Sequence, residues 1–201
     1  MPLTDDELRT EYVGKMGSDL GQLCHELRNE VNWLRHKWAE FQELFDRGAE
    51  RIELLNTVAS NFFYLLQSLF FEDAMLHMCR LSDPPEVSGH ANLTMMRLPG
   101  LISDPALKAH VEAAAQQVRA SSGFAREWRN KWLAHADLAT HRSGHASSLP
   151  KVEGQNVLEA LEALHDLLNS IERHYGIPPY GRIADPWGAK ALMNYLVRAA
   201  G

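Results

Sequence analysis

The amino-acid sequence predicts an all-α fold, an up-and-down helical bundle followed by a C-terminal helical appendage. Apolar residues recur every three or four positions through most of the 201 residues, which is the period of an amphipathic helix. No stretch alternates apolar and polar residues as a half-buried strand does. Proline, glycine and capping residues interrupt the pattern, so several helices are expected.

Two long helices are expected in the first half of the chain. The segment 4–17 is a weak helix because it contains glycines and is followed by another at position 21. Residues 20–45 carry an apolar stripe and form the first strong helix. The next helix is predicted from 49 to 81, and it is apolar nearly all round between Phe62 and Phe71, as in the centre of a bundle.

The second half is expected to contain shorter helices. Ser82 and Asp83 precede two prolines and end the second long helix, because the residue before a proline avoids the helical conformation. Asn92 or Thr94 caps a short turn that ends near 98. Further helices are predicted over 105–120, 124–137, 156–175 and 189–199, with Asn156 capping the third of these.

One domain is expected. The bundle covers residues 1–175, of which 1–20 are weakly defined, and the sequence GIPPYG then breaks the helical pattern. Residues 176–201 form an appendage of the same domain that the bundle does not need for folding.

Composition restricts the class of protein. A net charge of −6 argues against a broad nucleic-acid-binding surface. No run of about eighteen apolar residues occurs, and the N-terminus is acidic where a secretory signal is basic, so no membrane span and a cytoplasmic location are expected. Cys24 and Cys79 lack a CxxC spacing, which favours two reduced thiols over a disulfide or zinc site.

One stretch of the chain is locally basic. Residues 119–145 contain five arginines and lysines against two acidic residues, and they include the sequence RNKWLAH at 129–135. At 100° per residue, Arg129 and His135 lie on an apolar arc of a helix with Trp132 between them. Burying a guanidinium without a partner costs several kcal/mol. This face therefore meets a cleft, a subunit interface or an acidic side chain such as Asp73.

A motif and five short segments of the chain form a set that is typical of one protein family. Arg129, Asn130 and His135 have the spacing Arg-x(4–6)-His, with a polar residue after the arginine. The segments follow one another in the order WAEFQELF, RIELLN, FEDAMLHMCRLSDP, NLTMMRL and RNKWLAHADL. In the motif and in this order the chain resembles the AbiU-like branch of the HEPN superfamily. The resemblance extends from about Leu23 to Tyr175.

This resemblance implies a homodimer whose paired motif helices line a shared cleft, and a metal-independent endoribonuclease of a phage-defence or toxin–antitoxin system. His135 would be the general acid or base, since an imidazole titrates near neutral pH. Arg129 would contact the scissile phosphate, and Asn130 would orient the phosphate or the histidine. Single-stranded RNA would be the substrate, a cognate antitoxin or defence protein a further partner, and the products would carry 2′,3′-cyclic phosphate ends. No metal or cofactor is implied.

Other residues are assigned accessory roles. Asp73 and His77 interrupt the most apolar helix and are four residues apart, so they are interpreted as support for the motif. Trp132 either stacks on a base or fills a core. The candidates for further RNA contacts are Arg126, Lys131 and Arg142.

Alternative functions are also considered. A carboxylate-bridged metal centre needs two Glu-x-x-His pairs, and the chain has one, Glu162 to His165. A second Arg–Asn…His string begins at Arg28, but seven residues separate Arg28 from His36, so it is assigned no chemistry. The main alternative is a non-catalytic helical module that binds a nucleotide, RNA or a protein. An open basic cleft favours the nuclease, whereas a closed salt bridge at Arg129 favours the module.

Overall fold

The computed structural model describes residues 4–133, 152–178 and 185–200, and it confirms the all-α fold. Its α-helices are α1 (Asp5–Met16), α2 (Ser18–Phe45), α3 (Ala49–Ser82), α4 (Leu98–Leu101), α5 (Pro105–Ser121), α6 (Gly123–Trp128), α7 (Gly154–His174) and α8 (Trp187–Ala200). A 3₁₀ turn (Met95–Arg97) leads into α4, and a π-helix (Arg129–Leu133) follows α6. Two short antiparallel strands, β1 (Glu86–Val87) and β2 (His90–Ala91), form a hairpin that the sequence pattern does not predict.

Two glycines near the N-terminus allow the chain to turn between α1 and α2 and the two helices to pack closely. The helix α1 is capped by a reciprocal pair, in which the Thr4 hydroxyl accepts from the Glu7 amide and the Glu7 carboxylate accepts from the Thr4 amide. Gly17 has φ +83° and separates α1 from α2. A Cβ at Gly21 would lie 2.6 Å from the Tyr12 carbonyl oxygen, so only glycine allows the two helices to approach this closely.

Predicted helix boundaries hold where a cap or a proline sets them. The Asp104 carboxylate accepts from the Leu107 amide at 2.7 Å, and Pro105 takes the first position of α5. The cap predicted at Asn156 is wrong. Glu153 is the N-cap of α7, and the Asn156 side chain accepts from the Glu153 amide three residues earlier.

The chain divides into two compact units, and α2 and α3 contribute residues to both. The first unit comprises Met1–Val31 and Leu76–Gly181. Within it, α5 packs along α7, and apolar side chains from several helices form the core: Cys24, Leu27, Met78, Leu81, Met95, Leu98, Val111, Val118, Leu164 and Leu168.

An ion pair lies inside the core of the first unit. Arg28 donates to both carboxylate oxygens of Glu172, at 2.8 and 2.6 Å, and to the Asn169 side-chain oxygen at 3.0 Å. The Tyr12 hydroxyl donates to Glu172 at 2.6 Å. Arg28 and Glu172 are almost completely buried. The string that begins at Arg28 therefore has a structural role.

The second unit comprises Asn32–Met75 and Arg182–Gly201. Its core contains Leu44, Leu55 and Phe63 together with Ala189 and Met193 of α8. The Glu40 carboxylate accepts from the Gly188 amide at 3.1 Å and so fixes the start of α8. The helix α8 therefore contributes to a core, and the predicted boundary after Tyr175 stays a prediction.

The helix α3 is long and apolar. Of the helices in the described part of the chain, it alone has the length and composition to cross a membrane, but such a helix is weak evidence for a membrane protein. Its regular conformation is interrupted at Ala59, where φ is −162° and ψ is 71°.

Candidate functional site

The candidate site begins at the carboxyl end of α3. Pro84 and Pro85 stop the helix there, and Ser82 and Asp83 are left at its end. The hydroxyl of the fully buried Thr94 lies 3.0 Å from the Leu81 carbonyl oxygen and 2.8 Å from that of Asp83. Thr94 therefore fixes the backbone that carries Asp83.

Asp83 holds the motif arginine. The Arg129 Nη1 donates to both carboxylate oxygens of Asp83, at 2.8 and 2.7 Å, and Nε donates to the Asn130 side-chain oxygen at 3.2 Å. About a quarter of each charged side chain stays exposed, 27% for Arg129 and 22% for Asp83. The partner suggested from the sequence, Asp73, is corrected to Asp83.

A second arginine, Arg126, contacts Ser82, the residue before Asp83. Arg126 Nη1 donates to the Ser82 hydroxyl at 3.0 Å, and its Nη2 donates to the Arg119 carbonyl oxygen. The Ser82 hydroxyl donates in turn to the Met78 carbonyl oxygen at 2.8 Å. Ser82 and Asp83 therefore hold two arginines that lie three residues apart on α6 and the π-helix.

Positive charge exceeds negative charge at this site. Burial raises the pKa of the Cys79 thiol to about 11, although Arg129 and Arg126 oppose the rise. Burial also lowers the pKa of Arg126, and repulsion from Arg119 adds to the effect. Arg129 binds the Asp83 carboxylate and Arg126 binds the adjacent Ser82, and two guanidinium groups beside one carboxylate favour an anion such as phosphate.

The motif itself adopts a π-helix at Arg129–Leu133. This wider turn changes the direction of successive side chains, so the placement at 100° per residue is wrong for this segment. Isolated π-turns occur frequently at functional sites. The backbone of Trp132 is part of this turn. His135 and Arg142 lie outside the described residues.

The remaining predicted site residues have other partners. Asp73 lies in the second unit and forms an ion pair with Lys37. His77, which is buried, lies 2.7 Å from the Glu30 carboxylate in the first unit. Lys131 is partly exposed and lies 3.4 Å from Glu127 one turn earlier. Their assigned roles stay predictions.

Histidine, cysteine and carboxylate side chains are the groups that could bind a metal ion. Across 4–133, 152–178 and 185–200, no group of three histidine, cysteine or carboxylate side chains is placed to hold a metal ion. His165 of the single Glu-x-x-His pair is buried and contacts Asn169 at 2.9 Å.

The sequence pattern does not indicate that Asp83, Ser82 and Thr94 belong to the candidate site. It predicts only the end of a helix at Ser82 and Asp83, and a cap at Asn92 or Thr94. The available signal was their position in RLSDP and NLTMMRL, two segments on which the family resemblance depends. Ser82 contacts Arg126, and Asp83 contacts Arg129. More than forty residues of sequence separate the two members of each pair, so no local pattern predicts these contacts.

Comparison with known proteins supports the resemblance. The model of the HEPN_AbiU2 family, described as AbiU2, matches residues 17–187. No curated protein and no solved structure shows significant similarity to the chain. The matched region includes both the Arg129–Asn130 pair and the Ser82–Asp83 pair.

Proposed function

Because the chain belongs to the HEPN_AbiU2 family, we propose that it is a metal-independent endoribonuclease of a phage-defence or toxin–antitoxin system. The observation that supports this proposal is the arrangement at Arg129. Its guanidinium is fixed on one side by Asp83 and Asn130, and Arg126 lies three residues away. Within the described ranges the contacts of the Arg129 guanidinium are made by Nε and Nη1, and in this proposal Nη2 donates to a phosphate oxygen.

His135 supplies the proton transfer in this proposal. Its imidazole takes the proton of a ribose 2′-hydroxyl, and the 2′-oxygen attacks the adjacent phosphorus. The bond from phosphorus to the 5′-oxygen breaks, that oxygen takes a proton from water and leaves as a 5′-hydroxyl, and the His135 imidazolium returns its proton to the solvent. The other product is a 2′,3′-cyclic phosphate. Arg129 offsets the negative charge that grows on the phosphate oxygens.

Single-stranded RNA is the proposed substrate, since the attacking hydroxyl must align with the bond that breaks. Arg126, Lys131 and Arg142 contribute cationic contacts to its backbone, and Trp132 offers a ring on which a base stacks. Two copies of the chain bring two such motifs to one cleft. A cognate antitoxin or defence protein controls the activity.

The experiment is cleavage of single-stranded RNA by the purified protein in the presence of a chelator. We expect cleavage that continues without divalent ions and stops when the nucleotide 5′ to the scissile bond is 2′-deoxy, because the mechanism uses that hydroxyl as its nucleophile. The Arg129→Ala variant is expected to lose about 10²–10³-fold in rate, as when a single oxyanion donor is removed. Cleavage of the 2′-deoxy substrate would contradict this mechanism.

A second candidate is a non-catalytic module that binds a nucleotide, RNA or a protein partner. The Arg129–Asp83 ion pair favours it, since this pair already neutralises the motif arginine in the free protein. Measured affinity for an uncleavable 2′-O-methyl oligonucleotide, together with no cleavage of the matching RNA, would favour this module over the nuclease.

A further inference from the structure

The second unit contains an open groove of about 350 Å³. Residues of both α2 and α3 line it: Trp33, Lys37, Leu66, Leu69, Phe70 and Asp73. Most of these side chains are apolar, and Lys37 and Asp73 form an ion pair. The volume is at the lower limit of small-molecule pockets, which is about 300 Å³, so the groove has room for single side chains of a binding partner.

A row of exposed apolar side chains on α3 adjoins this groove. Beyond the interruption at Ala59, Phe62, Leu65 and Leu69 follow one another at spacings of three and four residues. Each is 58–62% exposed, and Leu69 also lines the groove. The core of the second unit is packed by other positions of the same helix, Phe63, Leu66 and Phe70. Phe62, Leu65 and Leu69, which we call the outer row, are therefore a second apolar face of α3.

The spacing of the outer row is that of a helix-packing surface. Phe62 and Leu69 are seven residues apart with Leu65 between them, which are the a and d positions of a heptad. A second helix with this spacing packs its side chains between those of the row. Grooves that bind amphipathic helices hold apolar anchors at the same intervals. From Phe62 to Asp73 the surface extends about 16 Å along α3, or three helical turns.

One end of the outer row is acidic. Glu72 takes the next heptad position, three residues after Leu69, and Asp73 follows it. The side chain of Asp73 is 44% exposed, and Glu72 is partly exposed. Two carboxylates beside the one ammonium of Lys37 give this end a net charge of −1. The remaining length is neutral, because the eighteen residues between Glu53 and Glu72 are uncharged.

We propose that the groove and the outer row bind an amphipathic helix of a different protein. This helix carries apolar residues at heptad spacing and a lysine or arginine at one end. Its apolar residues pack between Phe62, Leu65 and Leu69, and one of them enters the groove beside Trp33. The basic residue lies near Glu72. Binding of this helix does not depend on RNA cleavage, because all of these residues lie in the second unit.

Other occupants match this surface less well. The same face of a second copy has no basic residue to meet Glu72, because residues 54–71 are uncharged. Helices that lie on a bilayer carry lysine and arginine on their polar face, whereas this row ends in carboxylates. The chain's own segments 134–151 and 179–184, outside the described ranges, contain few large apolar side chains.

Fluorescence anisotropy of a labelled synthetic peptide, titrated with the full-length protein, tests the proposal. The peptide is about three heptads long, with leucine at positions a and d and uncharged residues elsewhere. Lysines at both ends place one near Glu72 in either orientation of the helix. We expect a Kd of about 1–100 μM. A control peptide of the same composition, with its leucines moved out of the heptad spacing, should bind at least tenfold more weakly.

Variants of the protein locate the binding surface. Leu65→Lys should weaken binding at least tenfold, because the ammonium would be buried among apolar side chains. The matched control is Tyr64→Lys, which adds the same charge at a residue that is 70% exposed and outside the outer row, and it should bind as the wild type does. Equal thermal unfolding of the two variants excludes misfolding as the cause.

The charge at Glu72 is tested separately. Glu72→Gln should weaken binding of the lysine peptide about two- to fivefold, as expected for an exposed ion pair. It should not change binding of a peptide in which glutamine replaces those lysines. Equal loss with both peptides would contradict the contact between Glu72 and the basic residue.

Three results would overturn the proposal as a whole: no binding of the heptad peptide, equal binding of the two leucine arrangements, or wild-type affinity in Leu65→Lys. Binding of the protein to neutral phosphatidylcholine vesicles without binding of the peptide would also overturn it and assign the surface to lipid. A wild-type dimer that Leu65→Lys converts to a monomer would overturn it in favour of a second copy.

Discussion

Different nitrogens of Arg129 make its contacts within the protein and the proposed contact with a phosphate. Nη1 holds Asp83, Nε holds Asn130, and in the proposed function Nη2 donates to a phosphate oxygen. A planar guanidinium allows this division because its donors point in fixed, separate directions. In the proposed mechanism, Asp83 is therefore a positioning residue that acts through Arg129.

Replacing Asp83 by asparagine tests this assignment. The amide keeps the size of the side chain but loses the charge that fixes Nη1, so we expect kcat to fall about 10-fold or more with a smaller change in KM. Asp83→Glu should recover part of the rate. The matched control is Asp185→Asn, which removes a different ion pair, the one with Lys190, and should leave kcat unchanged. An unchanged kcat for Asp83→Asn would remove Asp83 from the site.

The buried pair of Arg28 and Glu172 gives a prediction about stability. Arg28→Met leaves the Glu172 carboxylate buried without its counter-ion, which typically costs 3–5 kcal/mol. Adding Glu172→Gln should recover part of that loss, because a neutral amide needs no counter-ion and still accepts from Tyr12. Chemical denaturation of both variants measures the difference. Equal stability of the single and double variants would argue against an ionised pair.

At the scale of elements, the sequence predicts the helices that local chemistry defines. Pro105 is the first residue of α5, at the predicted start of that helix, and the prolines at 84 and 85 end α3, as expected. The π-helix was missed because it has the same composition as an α-helix, and the two-residue strands are too short to show alternation. Asp83 was missed because its contact with Arg129 is made by the tertiary fold.

Thr94 links two elements, the end of α3 and the 3₁₀ turn. Thr94→Val keeps the shape but removes the hydroxyl that contacts the Leu81 and Asp83 carbonyl oxygens. Because those buried acceptors lose a donor, we expect a stability loss of about 1–3 kcal/mol and a lower cleavage rate. Thr94→Ser should retain most of both. Thermal unfolding and cleavage assays of the two variants distinguish the effect of the hydroxyl on stability and cleavage rate from the effect of the methyl group.

At the scale of the whole molecule, a net charge of −6 surrounds a locally positive site. In the proposed function, the net negative charge disfavours RNA contacts over much of the surface, while the arginines near Asp83 bind a phosphate at short range. The proposal therefore favours a substrate that reaches the site as a flexible single strand. The net negative charge also limits non-specific binding, which depends on many phosphate contacts.

Global stability should depend on pH through the buried thiols. Burial raises the pKa of Cys24 to about 12 and that of Cys79 to about 11, both from an ordinary 9.0. The unfolded thiols lose their protons first as the pH rises, so stability is complete below pH 9 and falls above it. Each thiol contributes up to about 1.4 kcal/mol per pH unit. Denaturation at pH 8 to 11 measures this slope, and Cys24→Ala should flatten it. A slope that Cys24→Ala does not change would contradict the assignment.

The proposed function requires the motif to perform acid–base catalysis on RNA. The most direct measurement compares His135→Ala with His141→Ala, a control in the same part of the chain, for cleavage of single-stranded RNA with chelator present. We predict that His135→Ala lowers the rate about 10²–10⁴-fold and that His141→Ala keeps both the rate and the 2′,3′-cyclic phosphate ends. Unchanged activity per folded molecule in His135→Ala, with a stability loss of about 1–3 kcal/mol, would instead make His135 a structural residue and contradict the claim.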